Sequence, residues 1–388
     1  MTTDVQSSSS RFSSSNRSRV ASMFHVKHRT GFSLVLLALL VTAVACGRVS
    51  KPEGWAAPVT DGDRVFAQIE RGTISGGSLS SSGTFSEDWR YPADIDDLDF
   101  DGFYATPIVD GDTLYVASYD GNIVALDTGS GRPVWPGVVK VEANLVATPL
   151  LDGESLFVPT ETGEMIVLDA ENGVEKDRLL ERDGRIWSAP VIDGPTLYVG
   201  NLDARELWAV TAATDEIEWQ LDTQGGVSAD LVLAGDFVLA GSLDRALRAF
   251  DTNANGAEVW KYDTRGWVVS TPLVAGDVVY GVTLRGEVFA LDTVSGNERW
   301  TYLEDGLEFR ARPILVDGVL VVADRDGRVR GLDPATGDLR WESKLENAKL
   351  FADPLLLDGS ILYLTKDGDL LSIAADNGTS STVFGRGG

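Results

Sequence analysis

The side chains that do most covalent and acid–base chemistry are nearly missing from this chain of 388 residues. Both histidines, His25 and His28, and the single cysteine, Cys46, fall in the first 46 residues. The rest therefore offers no His-containing triad, no thiol nucleophile, no His-ligated zinc or copper and no C-x-x-C-H haem attachment. What it does offer is carboxylate. Of the 59 acidic residues only Asp4 lies in the first 46, whereas five of the 33 basic residues do. At that density acid pairs of the glycosidase kind arise by chance, so their presence indicates no activity. One acidic cluster has a recognisable spacing. Asp97, Asp99 and Asp101, followed by Gly102, write D-x-D-x-D-G, the opening of a calcium loop, within the stretch 91–102. The twelfth position, where a bidentate Glu closes such a loop, is Ile108. Structural calcium thus stands against a plain solvated acidic loop. With a formal net charge of −26 the surface repels phosphate backbones, and nucleic acid is not an expected partner.

Cys46 has a different chemistry. Residues 1–46 read as an export signal: "FHVKHRTGF" supplies positive charge, and the apolar run 34–45 is too short for a bilayer, which takes about 20 residues. The run ends in "AVAC", which resembles the lipobox of bacterial lipoproteins, with Ala43 where Leu is usual. An ordinary secretory signal ending near a cysteine is the alternative. With no second thiol for a disulfide, Cys46 is the expected lipid attachment point, and two or more acyl chains would hold the protein on a membrane. The Ser-rich stretch before Met23 is unusual for a signal, so Met23 is an expected alternative start. Residues 47–54 are expected to be a short tether and 385–388 a tail.

Internal repetition dominates the rest. "ATPIVDGDTLYVAS" (105–118) has seven relatives, aligned on Pro58, Pro107, Pro149, Pro190, Asp230, Pro272, Pro313 and Pro354. The intervals are 49, 42, 41, 40, 42, 41 and 41 residues, and the long first one contains the acidic insertion. Each copy reads as four short strands: one ending at Pro-x-x-x-(Asp/Ala)-Gly, a run such as "TLYVAS", a third such as "NIVALD" and a fourth such as "RPVW". Eight such copies predict an all-β fold, an eight-bladed β-propeller over 55–384.

A second phrase recurs as "ALDTGSGRPVW" (125–135) and "ALDTVSGNERW" (290–300). It spans the third strand, a tight turn and the fourth strand. Asp127 and Asp292 can accept turn N–H groups, and Gly131 and Gly296 can take the left-handed conformation. The large flat Trp at its end can fill the gap between neighbouring blades. Trp135, Trp260, Trp300 and Trp341 fit this role, Trp219 fits without its Gly, and Trp89 stands where the first blade needs one. The third and eighth copies, "AENGVEKD" and "ADNGTSST", lack the Trp and are expected to pack more weakly.

The A-x-D-x-x-x-G-x-x-x-W pattern, complete at 125–135 and 290–300 and nearly so at 331–341, resembles the pyrroloquinoline-quinone (PQQ)-type propeller repeat. Two groups share it: eight-bladed quinoprotein dehydrogenases that bind PQQ and calcium, and non-enzymatic propellers typified by the lipoprotein BamB. The repeat intervals leave no room for the insertions that build a quinone site, and the vicinal Cys pair of many dehydrogenases is missing. The resemblance therefore implies a BamB-like scaffold or binding module outside the cytoplasmic membrane. Its expected partners are other envelope proteins, it would be monomeric on its own, and neither PQQ nor any other cofactor beyond calcium is expected. A degenerate quinoprotein, or a propeller binding sugar or peptide, is the alternative.

The segments entering the first strands should meet near one mouth of a central channel. Trp55, Tyr104, Trp187, Trp267 and Phe351, interleaved with Arg310, Arg312 and Asp353, are the candidate binding residues there. Sealing of blade junctions and mutual Arg–Asp pairing is the structural alternative.

Overall fold

A computed structural model describes residues 54–80, 83–94 and 100–385; Cys46, Asp97 and Asp99 lie outside these. Among the described residues every regular element is a strand, and the strands form eight four-stranded antiparallel sheets. The sheets stand in a ring as an eight-bladed β-propeller. Blade 6 shows the plan: Leu273–Ala275, Val278–Val282, Glu287–Asp292 and Glu298–Leu303, with Leu273 opposite Tyr280, Val278 opposite Asp292 and Ala290 opposite Trp300. The second strand is buried at every position and the third at all but its last. Both faces of a blade are covered by neighbouring blades, so these strands read as continuous apolar runs. The fourth strand is the most open, with Glu298 and Arg299 exposed and Trp300 its one buried residue.

The first strands line the axis. Val59–Thr60 lies beside Ile108–Asp110 of blade 2 and Leu355–Leu357 of blade 8. No blade carries the whole core. The apolar side chains gather into eight clusters, each shared by two adjacent blades, and a lone blade would leave both its faces wet. The last cluster closes the ring: Val65, Ala67 and Phe85 of blade 1 pack with Leu362, Leu364 and Val383 of blade 8. Phe85 meets Phe384 edge to face at 5.8 Å. Each sheet is built from four consecutive strands, so closure rests on side-chain packing rather than on a strand shared between the chain ends.

Blade 2 departs from the expected pattern. "RPVW" is not its fourth strand; the outer strand is the two-residue Val139–Lys140, and Trp135 precedes it. Pro133 and Pro136 lack the N–H groups that a ladder needs, which pushes pairing downstream. Two arginines sit in third strands with almost no exposure. Arg248 meets Asp244 and lies 3.2 Å from Glu258. Arg330 meets Glu304 at 2.9 Å and Glu342 at 3.1 Å.

Candidate functional site

Two sets of sequence-derived residues fall at different places. The Trp set lies at the blade junctions. Trp89 Nε1 donates to the Thr128 carbonyl at 2.9 Å, Trp135 to Ala170 at 3.0 Å, Trp260 to Thr293 at 3.0 Å, Trp300 to Pro334 at 2.9 Å and Trp341 to Ala375 at 2.8 Å. Every acceptor belongs to the next blade. Trp219 packs at the junction of blades 4 and 5 against Gly256 and the Val227–Val238 cluster.

The second set meets at the axis. Consecutive antiparallel strands place the turns between strands two and three, and the connections from one blade to the next, on the same side of the ring. There the connections enclose a cavity of about 340 Å³, to which all eight blades contribute. Trp55, Tyr104, Trp187, Trp267, Arg310, Phe351 and Asp353 line it; Arg312 does not. The aromatics form a connected wall. Trp55 meets Tyr104 edge to face at 4.4 Å and tilts against Phe351 at 5.6 Å, and Tyr104 meets Tyr119 at 5.3 Å. Arg310 stacks its guanidinium 5.7 Å from the Phe351 ring, and Arg185 lies 4.9 Å over Trp187. Trp187 Nε1 donates to Glu161 at 2.7 Å. Trp55 and Trp267 remain 42% and 52% exposed at the mouth.

Below the aromatics runs a belt of polar links between first strands, of which the sequence offered only the Arg312–Asp353 pairing, as its structural alternative. Thr106 Oγ1 accepts the Ala57 N–H at 3.4 Å, and Thr148 Oγ1 the Thr106 N–H at 3.1 Å. Asp230 accepts the Ala189 N–H at 2.7 Å and the Thr271 hydroxyl at 3.1 Å. Asp353 accepts the Arg312 N–H at 2.7 Å. Arg312 points its guanidinium toward the same carboxylate, 3.7 Å away, and stays half-exposed, which takes it off the cavity wall. The signal for this belt was present in the repeat alignment: Asp230 is the one aligned position without Pro. Burial pushes the Asp230 carboxyl up, against the Ala189 N–H and Thr271 hydroxyl that favour its charge. Asp353 is pushed up to about 6 by burial; Arg312 opposes the shift and Asp230 adds to it. Its residual exposure is to the channel.

Arg310 lies on the cavity wall without an ion-pair partner among the described residues, and its buried Nε has no hydrogen-bond acceptor. Burial pulls its pKa down. Ser228 Oγ and Ser270 Oγ, on the wall from the two preceding blades, are buried and also unpartnered. The site thus offers donors and flat apolar surface, while its two channel carboxylates are engaged in tying blades together. Asp101, the one described member of the D-x-D-x-D cluster, pairs with Arg71 at 3.0 Å. Among the described residues no three His, Cys, Asp or Glu side chains gather as a metal site.

Residues 50–189, 179–254 and 252–384 match the protein family described as outer membrane protein assembly factor BamB. The chain belongs to the BamB family. BamB from Moraxella catarrhalis superposes with a TM-score of 0.66 at 19% identity, covering 81% of this chain and 92% of that one. The computationally designed Ika8 protein gives 0.67 at 15% identity, covering 82% and 97%. A europium-containing methanol dehydrogenase gives 0.64 at 12%, covering 81% of each. At these identities the likeness to BamB and to the dehydrogenase alike is one of fold. No curated protein sequence matches the chain.

Proposed function

We propose that this BamB-family propeller is a non-enzymatic binding module of the cell envelope, anchored through Cys46 outside the cytoplasmic membrane, that engages other envelope proteins through the funnel face. The observation that carries this reading is the mouth itself: exposed Trp55 and Trp267 beside a cavity whose guanidinium, Arg310, has no ion-pair partner among the described residues. Exposed aromatics and arginine are the side chains that anchor protein interfaces. The family's description as an assembly factor supports partners among outer-membrane assembly proteins. Against a calcium–quinone pair in the funnel, Asp230 and Asp353 already hold N–H groups of the Ala189 and Arg312 backbone, and among the described residues no carboxylate trio faces the cavity.

The test is a photo-cross-linking amino acid placed at Trp267 in the full chain in its native membranes, with a second placed at Asp277 on the opposite face. A discrete cross-linked envelope protein from position 267 and none from 277 is expected. The reverse pattern would move the function to the other face. Cys46→Ala should release the protein from the membrane fraction; retention would remove the lipid anchor from the reading. Tight binding of PQQ with calcium by the purified protein would favour the quinoprotein alternative.

A further inference from the structure

Given a binding role for the funnel face, we propose that its rim over blades 4 to 7 receives an extended acidic polypeptide segment of the partner, with a carboxylate of that segment seated on Arg310.

The two faces of the ring differ in charge by construction. On the face away from the funnel, the turn between strands one and two carries an Asp in every blade, for example Asp110, Asp152, Asp193, Asp236, Asp277 and Asp317. Two arginines on this face hold carboxylates, Arg299 lying 2.7 Å from Asp277 and Arg340 2.6 Å from Asp333, while Arg132 is exposed there without an ion pair among the described residues. The funnel face shows the opposite arrangement. Arg205, Arg245 and Arg285 stand in the turns between strands two and three of blades 4, 5 and 6, spaced 40 residues apart, one per blade. Arg265 joins them from the connection between blades 5 and 6. All four are exposed, and none has an ion-pair partner among the described residues.

Several acids on the same rim are engaged by other groups, while Asp183 and Asp305 stand exposed there without an ion pair among the described residues. Asp203 holds Arg185 at 2.7 Å, Asp244 holds the buried Arg248, and Asp263 holds Lys261 at 2.7 Å. Glu287 accepts the backbone N–H of Arg265 and sets its carboxylate beside that arginine's charge. In a chain with 59 acidic and 33 basic residues, guanidinium groups without ion pairs in successive blades locally offset the excess of acid.

The arc is continuous with the cavity. The Thr223 N–H donates to the Arg205 carbonyl and the Thr264 N–H to the Arg245 carbonyl, both at 2.8 Å. The Leu284 N–H donates to the Trp267 carbonyl at 3.2 Å. Trp267 and Leu284 both line the cavity, as does Arg310 from the next blade connection. A ligand laid along the arc therefore crosses exposed Trp267 and ends where Arg310 Nε, Ser228 Oγ and Ser270 Oγ lack partners.

These features select the occupant. Guanidinium groups one blade apart suit carboxylates spaced along an extended chain, and guanidinium–carboxylate pairs are strong and directional. The apolar wall suits the aromatic or aliphatic side chains between them. A polymer charged at every unit, such as nucleic acid, would also meet Asp120 and Glu161 on the rest of the mouth.

The experiment uses the full-length protein in detergent and fluorescein-labelled short peptides. One peptide alternates Glu and Tyr with a free C-terminus, a second alternates Lys and Tyr, and unlabelled oligogalacturonate and single-stranded DNA act as competitors. Saturable binding of the Glu–Tyr peptide alone is expected, weakening as salt rises from about 50 to about 200 mM. Arg265→Glu with Arg285→Glu should weaken it at least about tenfold, as should Trp267→Ala, whereas Arg132→Glu on the other face should not. No saturation by about 1 mM peptide would overturn the proposal. So would binding that survives the double reversal, or tighter competition by oligogalacturonate or DNA. A cross-link from position 267 to an envelope protein, obtained while the acidic peptide fails to bind, would leave the funnel-face role standing and remove only the acidic segment.

Discussion

Gly337 of blade 7 lies flat against the indole of Trp300 in blade 6: a Cβ on Gly337 would stand 2.5 Å from Trp300 Cε3. The same relationship joins Gly131 to Trp89, Gly173 to Trp135, Gly256 to Trp219, Gly296 to Trp260 and Gly378 to Trp341. The Trp of the recurring phrase therefore meets the Gly of the following copy, not its own. That glycine answers two demands at once, a left-handed backbone (φ +76° at Gly337) and close approach to a ring.

Trp300→Ala should cost about 3–5 kcal/mol by leaving a void at the blade 6–7 junction. Gly337→Ala should cost about 2–4 kcal/mol through strain and the collision with the ring. Because both act on one contact, the double variant should fall short of the sum. Chemical denaturation midpoints and slopes measure this, and strict additivity would dissolve the pairing.

At the junction of blades 3 and 4 both the Trp and the Gly are missing. Blade 3 lacks its Trp, and the facing turn of blade 4 holds Asp215 at φ +56° instead of glycine. Asp215 Oδ1 accepts the Leu180 N–H across that junction at 2.9 Å. Asp215→Ala should destabilise by about 1–3 kcal/mol, losing the acceptor while keeping the left-handed backbone. Asp215→Asn, which keeps both, should lie within about 0.5 kcal/mol of wild type. Equal loss in the two variants would count against this polar substitute for Trp and Gly.

The Asp353 carboxyl, raised to about 6, gives the channel a pH signature. Between about pH 4 and 6 the folded protein retains a proton that the unfolded chain has released, so stability contributed by this group falls as pH rises. One proton limits that slope to about 1.4 kcal/mol per pH unit. Asp353→Asn, which still accepts the Arg312 N–H, should subtract this slope from the wild-type curve and leave the region above pH 7 flat by comparison. Parallel wild-type and variant curves from pH 4 to 7 would contradict it.

For the acidic loop, the Asp101–Arg71 pair already supplies a counter-charge without a cation. A chelator is therefore expected to leave the melting temperature unchanged. A drop that Asp99→Ala abolishes would establish calcium there.

Much of this was legible in the sequence because each blade repeats the same register. Counting back from the aligned Pro located Trp55, Tyr104, Trp187, Arg310 and Phe351 at one mouth before any coordinate was known. The partner of each Trp was not legible, since a tandem repeat looks the same whether a residue meets its own copy or the next. Most of the polar belt was also hidden: apart from Asp230, which breaks the run of aligned Pro, members such as Thr106 and Thr148 look like ordinary strand-entry residues until neighbouring first strands stand side by side. Blade 8 shows a further limit. Counting along the phrase puts Thr382 at the missing Trp position, but the register shift falls earlier, at Leu370/Leu371, and Ser381 stands opposite Ser372.

Ring closure by packing alone has a topological consequence. Each blade is one uninterrupted length of chain, and no strand is borrowed across the seam between Phe85 and Phe384. The eight seams are thus alike in being closed by side-chain packing, and they differ only in that the chain crosses seven of them and not the one between blades 8 and 1. A circularly permuted chain, joined by a linker from residue 385 to residue 54 and reopened between blades 4 and 5, would rebuild the same ring with every sheet intact.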